Sequence, residues 1–277
     1  MKIKTTLFLL IAVTNSLFSQ IDTCLNQIIK HEITSIYVQD HKEYWVSFPL
    51  NYDTTKTYPV IYVLDGQWRF DLIRPIAFDL AGNKKMPGHI IVGLPHSDWR
   101  KNRGIDYTFS HSRNEYNDEK VDSTTYNATN SGGGENYYLH LTKEVMKSVN
   151  KNYPTNGKNI LIGHSYGGYF GSYILSRKND FTAYQIYDPS IWFSNGEAIE
   201  IIKGNLSKNK TLDIFISYQP VPAFHSNKIE KLIKLLSTYP NVKLNSKKFE
   251  EETHNSLFMY SFLEGMKCLY EGWSGEE

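Results

Sequence analysis

The chain has 277 residues, 40% of them hydrophobic and 14% aromatic, with 30 Lys and Arg against 29 Asp and Glu for a formal net charge of +1. A near-neutral chain without a Lys/Arg-rich run has nothing to neutralise a phosphate backbone, so no nucleic-acid partner is expected. The apolar content excludes a chain too polar to collapse, and the length fits one large α/β or all-β core.

In chain order, Lys2 and Lys4 precede the apolar run Leu7 to Val13, and small residues lead to Ser19. That is the pattern of a secretory leader cut after Ser19. The run is about half the roughly 20 apolar residues that a membrane span needs. Residues 1–19 are therefore expected to be removed, leaving 20–277 as a single domain, exported to the periplasm or the medium and without stable membrane insertion. Cys24 follows the run, but Asp22 and Thr23 stand where a lipid-anchor signal carries small or apolar residues. Cys24 and Cys268 are the 2 cysteines; they either pair across the termini or stay free. With no CxxC and no tight His/Cys cluster, neither a metal nor another cofactor is expected.

Ser35 to Val38 and Tyr44 to Leu50 flank the polar Gln39 to Glu43 and predict an opening hairpin. Val60 to Leu64 and Ile90 to Leu94 are nearly continuous in apolar residues, as strands covered on both faces are. Pro95 to Asn136 is polar but carries Trp99, Tyr107, Phe109, Tyr116 and Tyr126, which favours a packed cover over a loose linker. Tyr138, Leu141, Val145 and Val149 recur at helical spacing, and Tyr153-Pro154 ends that helix. A strand at Asn159 to Ile162 leads into a small-residue helix from Tyr166. Ala183 to Tyr187 and Leu212 to Ser217 follow as strands. A helix near Asn227 to Leu236, a strand at Val242 to Phe249 and an amphipathic helix over Phe258 to Leu269 complete the chain. Alternating strands and helices imply an α/β fold: a mostly parallel central sheet with helices on both faces and the N-terminal antiparallel hairpin at its edge.

Gly163-His164-Ser165-Tyr166-Gly167 matches GxSxG, and it falls where the Asn159 to Ile162 strand must turn into a helix. That context makes Ser165 the candidate nucleophile. A serine hydroxyl needs a base within hydrogen-bond reach. Of 9 histidines, His254 follows the last strand, where such a base is expected, while His225 precedes that strand and His164 is expected to point away from the cleft. Acyl transfer also needs two backbone N–H groups aimed at the oxyanion. Tyr166 supplies one, and Gln67, with Gly66 as the near alternative, supplies the other from the turn after Val60 to Leu64. Trp68, Trp99 and Trp192 each follow a strand end, where ligand clefts form, and are candidate pocket walls. Arg103, with Arg100 and Lys101, is a candidate for meeting an anionic substrate.

The segments "YPVIYVLDGQWRF", "SGGGENYYLHLTKEVMKSVNKNYP", "LIGHSYGGYFGSYIL", "YDPSIWF" and "FEEETHNSLFMYSFLEGMKCLY" follow one another in this chain. They resemble, over nearly the whole mature length, the esterase family of α/β-hydrolases that includes esterase D, the enterobactin-type ferric-siderophore esterases and the mycolyltransferases. The resemblance implies the α/β-hydrolase fold, Ser165 as nucleophile, His254 as base and hydrolysis of a small-molecule ester. Siderophore and carbohydrate-linked acyl esters are the candidate substrates, and acyl transfer on the same fold is the alternative. The resemblance breaks at the acid. Many members carry a carboxylate just after the strand matching Leu212 to Ser217, whereas here Tyr218 to Ala223 holds none. Asp188, after the preceding strand, ranks first as a shifted acid; a Ser-His dyad and Glu252 are the other possibilities. The sequence does not specify an oligomeric state.

Overall fold

The computed structural model describes residues 27–206 and 210–275. The expected leader and Cys24 lie outside the described residues. Eight strands form one sheet in the order β1-β2-β4-β3-β5-β6-β7-β8. β1 (Ile28–Ser35) and β2 (Asp40–Ser47) pair antiparallel, β2 pairs antiparallel with β4 (Ile90–Leu94), and every further pairing is parallel. The remaining strands are β3 (Tyr58–Leu64), β5 (Thr155–His164), β6 (Phe181–Tyr187), β7 (Leu212–Tyr218) and β8 (Val242–Lys248). This is the expected α/β-hydrolase architecture with its antiparallel edge.

β3 shows why its run is continuously apolar. Val60, Tyr62 and Leu64 join a core on one face, and Ile61 and Val63 join a second core on the other. The second face is covered by α1 (Gly66–Gly82), through Phe70, Ile73, Ala77 and Leu80, and by α8 (Leu257–Leu269), through Phe258, Phe262 and Met266. The first face carries α3 (Gly134–Leu139), a π-helical segment (His140–Val145) and α4 (Met146–Asn152), then α5 (Tyr166–Ile174), α6 (Glu197–Asn205) and α7 (Ala223–Leu236).

The opening hairpin differs from its predicted position. Its turn is Ile36–Gln39 and its first strand ends at Ser35, because the Ser35 hydroxyl accepts from the Tyr37 and Val38 N–H groups, both at 3.2 Å, and so begins the turn. Ile36 is left 76% exposed there despite its β-branched side chain. α1 was not anticipated, since Pro75 interrupts its pattern.

The cover is packed, as its aromatics suggested. It begins with α2 (Trp99–Tyr107). Beyond that helix, Phe109 stacks on Tyr173 at 3.7 Å, and Tyr126 meets Phe193 edge-on at 5.2 Å. Asn114 donates to the Trp192 carbonyl at 3.1 Å and accepts from the Asn195 N–H at 3.1 Å, which ties the cover to the segment after β6.

Candidate active site

The site lies where β5, β6 and β7 end side by side. Ser165 follows β5 with φ 60° and ψ −120°, a strained setting for a residue with a side chain. Its N–H donates to the Tyr187 carbonyl at 3.1 Å, and its own carbonyl accepts from Tyr169 and Ser190. Gly163 is required beneath the turn: a Cβ there would lie 2.2 Å from the Gly167 carbonyl oxygen. The same turn points the Ser165 side of the elbow into a cavity of about 580 Å³ that His254 also lines.

Asp188 follows β6 and is fully buried. Its Oδ2 accepts from His254 Nδ1 at 2.6 Å, and its Oδ1 accepts from His225 Nε2 at 3.0 Å and from the Gln219 N–H at 3.2 Å. Burial opposes ionisation of this carboxyl, but the hydrogen bonds from His225 and His254 prevail and hold it well below the ordinary carboxylate range. The bond from His254 Nδ1 fixes that ring's tautomer and leaves Nε2 for the cavity that Ser165 faces. Ser165, His254 and Asp188 are thus brought together, whereas Glu252 is engaged by the Ser256 hydroxyl at 2.6 Å.

His225 was missed. Its sequence position, before the last strand, argued against it, yet α7 starts beside the end of β7 and carries it onto the free oxygen of Asp188. His164 also departs from expectation. Its ring does not turn away from the site but lies 4.4 Å from the His254 ring. Its Nε2 bonds the His254 carbonyl at 2.6 Å, so Nε2 carries the hydrogen and Nδ1 accepts from Arg69 Nη2 at 3.2 Å. Burial, then the nearness of His254 and Arg69, pushes its pKa well below the usual value, so the ring is neutral.

The candidate oxyanion donors stand at two helix starts. Tyr166 opens α5. Gly66 and Gln67 open α1, whose first N–H groups have no intrahelical acceptor. Asp65, in the left-handed conformation, ends β3 and accepts from the Trp68 and Arg69 N–H groups, and the Gln67 side chain is occupied by the His96 N–H at 3.1 Å.

Trp192 is buried in the wall of the larger cavity, with Tyr116 of the cover against it. Trp68 lines a second, polar cavity on the other side of Ser165, and Trp99 packs edge-on against Trp68 at 5.0 Å without lining it. Arg103 departs from the expectation of a free cation. Its guanidinium clasps Asp65, Nε to Oδ1 at 2.7 Å and Nη2 to Oδ2 at 2.8 Å, which offsets the cost of taking most of that charge out of water. Among the described residues, Asp188, His225 and His254 form the one set whose metal-ligand atoms converge, within 4.8 Å. Each of those carboxylate oxygens already accepts an imidazole N–H.

The model of the family described as "Putative esterase" matches residues 37–184. Among solved structures, the fold superposes on an IroE-like serine hydrolase from Shewanella oneidensis with a TM-score of 0.78, at 25% identity, covering 88% of this chain and 80% of that one. The BES protein from Bacillus cereus gives 0.74 at 24% identity, with 88% and 95% covered. The siderophore hydrolase EstB from Aspergillus nidulans gives 0.75 at 19% identity, with 90% and 96% covered.

Proposed function

The chain belongs to the family described as "Putative esterase" and is an ester-hydrolysing enzyme; from this premise we propose that it works through an acyl-enzyme on Ser165, with His254 as base and Asp188 as the orienting acid. The observation that carries the reading is the 2.6 Å bond from His254 Nδ1 to a buried, ionised Asp188, on a histidine that shares a cavity with a serine held at φ 60°.

In the proposed sequence, Ser165 Oγ attacks the ester carbonyl as His254 Nε2 takes its proton, and the carbonyl oxygen becomes an oxyanion held by the N–H of Tyr166 and that of Gln67, with Gly66 alongside. His254 returns the proton to the departing alcohol, which breaks the ester C–O bond. Water then attacks the acyl-enzyme, giving its proton to His254, and the acid is released as Ser165 regains a proton. Asp188 stays ionised throughout and stabilises the imidazolium.

The larger cavity, with Trp192 and Tyr116 in its wall, suits the bulky, partly aromatic acyl group of a siderophore or carbohydrate-linked ester. A solved structure of similar fold is a siderophore hydrolase, which supports the first of these. The leader-like Met1 to Ser19 makes the enzyme an exported one in this reading. The test is a panel of acetyl, feruloyl and siderophore esters offered to residues 20–277. At least one is expected to be hydrolysed by the wild type and none by Ser165→Ala. Turnover that survives Ser165→Ala contradicts the mechanism, and transfer to added glycerol in preference to water would replace hydrolysis by acyl transfer.

A further inference from the structure

The polar cavity beside Ser165 has a volume of about 410 Å³ and is lined by Arg69, Trp68 and Asn255 together with Ser165 and His254. Its charges do not cancel. The carboxylate in its wall, Asp65, has both oxygens engaged by Arg103. Arg69, the second cation, has no ion-pair partner among the described residues. Its Nη2 meets the neutral His164 ring at 3.2 Å, its guanidinium lies 4.2 Å over the Phe258 ring, and its Nε is buried without a hydrogen-bond partner among the described residues.

Two guanidinium groups and one carboxylate leave one positive charge unmatched beside the nucleophile. Burial lowers the Arg69 pKa, Asp65 opposes that shift and Arg103 adds to it, but a guanidinium remains charged at any working pH. An aromatic face and a neutral imidazole hold the group in place without neutralising it, which leaves its remaining Nη N–H groups able to receive a planar anion. Trp68, 44% exposed at the rim, adds a flat apolar surface next to it.

We propose that Arg69 is the recognition point of an anion subsite: the preferred ester carries a carboxylate, or an anion of similar shape, near its scissile bond, seated on Arg69 in the polar cavity while the rest of the molecule occupies the apolar one. This rests on ester hydrolysis at Ser165 and names the class of substrate. The anion belongs to the alcohol half or the acid half of the ester, and the test has an arm for each. In the first, kcat/KM is compared for para-acetoxybenzoate and the neutral para-acetoxybenzamide. In the second, phenyl hydrogen adipate is compared with its neutral monoamide.

The wild type is expected to favour the anionic member of one pair by more than about tenfold, a preference that declines with added salt. In Arg69→Gln the ratio should fall to about one or below, and Arg69→Lys should keep part of it. Because Arg69 also contacts His164, the ratio within a single variant is the readout, since a change in the shared chemical step cancels. Ratios near one for both pairs in the wild type, or a preference that persists in Arg69→Gln, overturn the subsite while leaving hydrolysis intact. Failure to hydrolyse any of the four esters while a member of the panel above is still cleaved overturns the subsite alone; failure on that panel as well overturns the hydrolase reading and the subsite with it.

Discussion

Asp188 carries two imidazoles, and they divide its work. His254 takes Oδ2 at 2.6 Å, and His225 takes Oδ1 at 3.0 Å. With both oxygens engaged, the carboxylate cannot rotate away from His254. Asp188→Asn removes the charge and favours the wrong His254 tautomer, so kcat should fall by roughly two to four orders of magnitude; a loss below about tenfold, or about 1.4 kcal/mol, would instead favour a Ser-His dyad. His225→Phe should act more mildly. His225 is the foremost of the groups that depress the Asp188 carboxyl against the opposing effect of burial. Without it the carboxylate loses one of the donors that hold it ionised and aimed at His254, so kcat/KM at neutral pH should fall, by less than in Asp188→Asn. A kcat/KM equal to that of the wild type would reduce His225 to a packing residue.

At the scale of elements, the site is made by strand ends. β5 and β6 stop in register and β7 runs one residue further, which presents Ser165, Asp188 and Gln219 along one edge, and the loop between β8 and α8 brings His254 over them. Gly163→Ala should block this assembly, because its Cβ would meet the Gly167 carbonyl oxygen at 2.2 Å. A fall in Tm of more than about 4 °C, or loss of soluble protein, is expected, and a melt equal to that of the wild type would contradict the tight elbow. The elbow was legible in the sequence because GxSxG sits between a buried-strand run and a helix. Asp188 was legible as a residue directly after a parallel strand. α1 was not, since Pro75 and the Asp65-Gly66 pair read as a break although Phe70, Ile73, Ala77 and Leu80 keep helical spacing. The hairpin register was misplaced because Ile36 to Val38 have strong strand propensity, which the Ser35 turn overrides. His225 on Asp188 and Arg103 on Asp65 are meetings across the fold that no local pattern encodes.

At the scale of the molecule, two buried carboxylates join the parts that frame the site. Asp106, at the end of α2, bonds Lys42 of β2 at 2.9 Å, which ties the cover to the edge hairpin. Burial opposes its ionisation, but His96 and Lys42 hold its pKa below the usual carboxylate value; Asp188 is depressed by its own two histidines. A carboxyl whose folded pKa is depressed contributes stability that is present above its unfolded pKa, about 3.9, and is lost as pH falls through the folded value. Thermal melts should therefore show Tm declining as pH drops below about 4, and a Tm unchanged between about pH 5 and pH 3 would contradict that role. Among the described residues no helix is long and apolar enough to cross a membrane.

The central claim, a nucleophilic Ser165 activated through His254 and Asp188, is tested most directly by mass spectrometry of the protein after reaction with a fluorophosphonate. The account predicts one covalent adduct, on the peptide containing Ser165, absent in Ser165→Ala and formed far more slowly in His254→Gln. An adduct on any other serine, or labelling of His254→Gln at the wild-type rate, would contradict it.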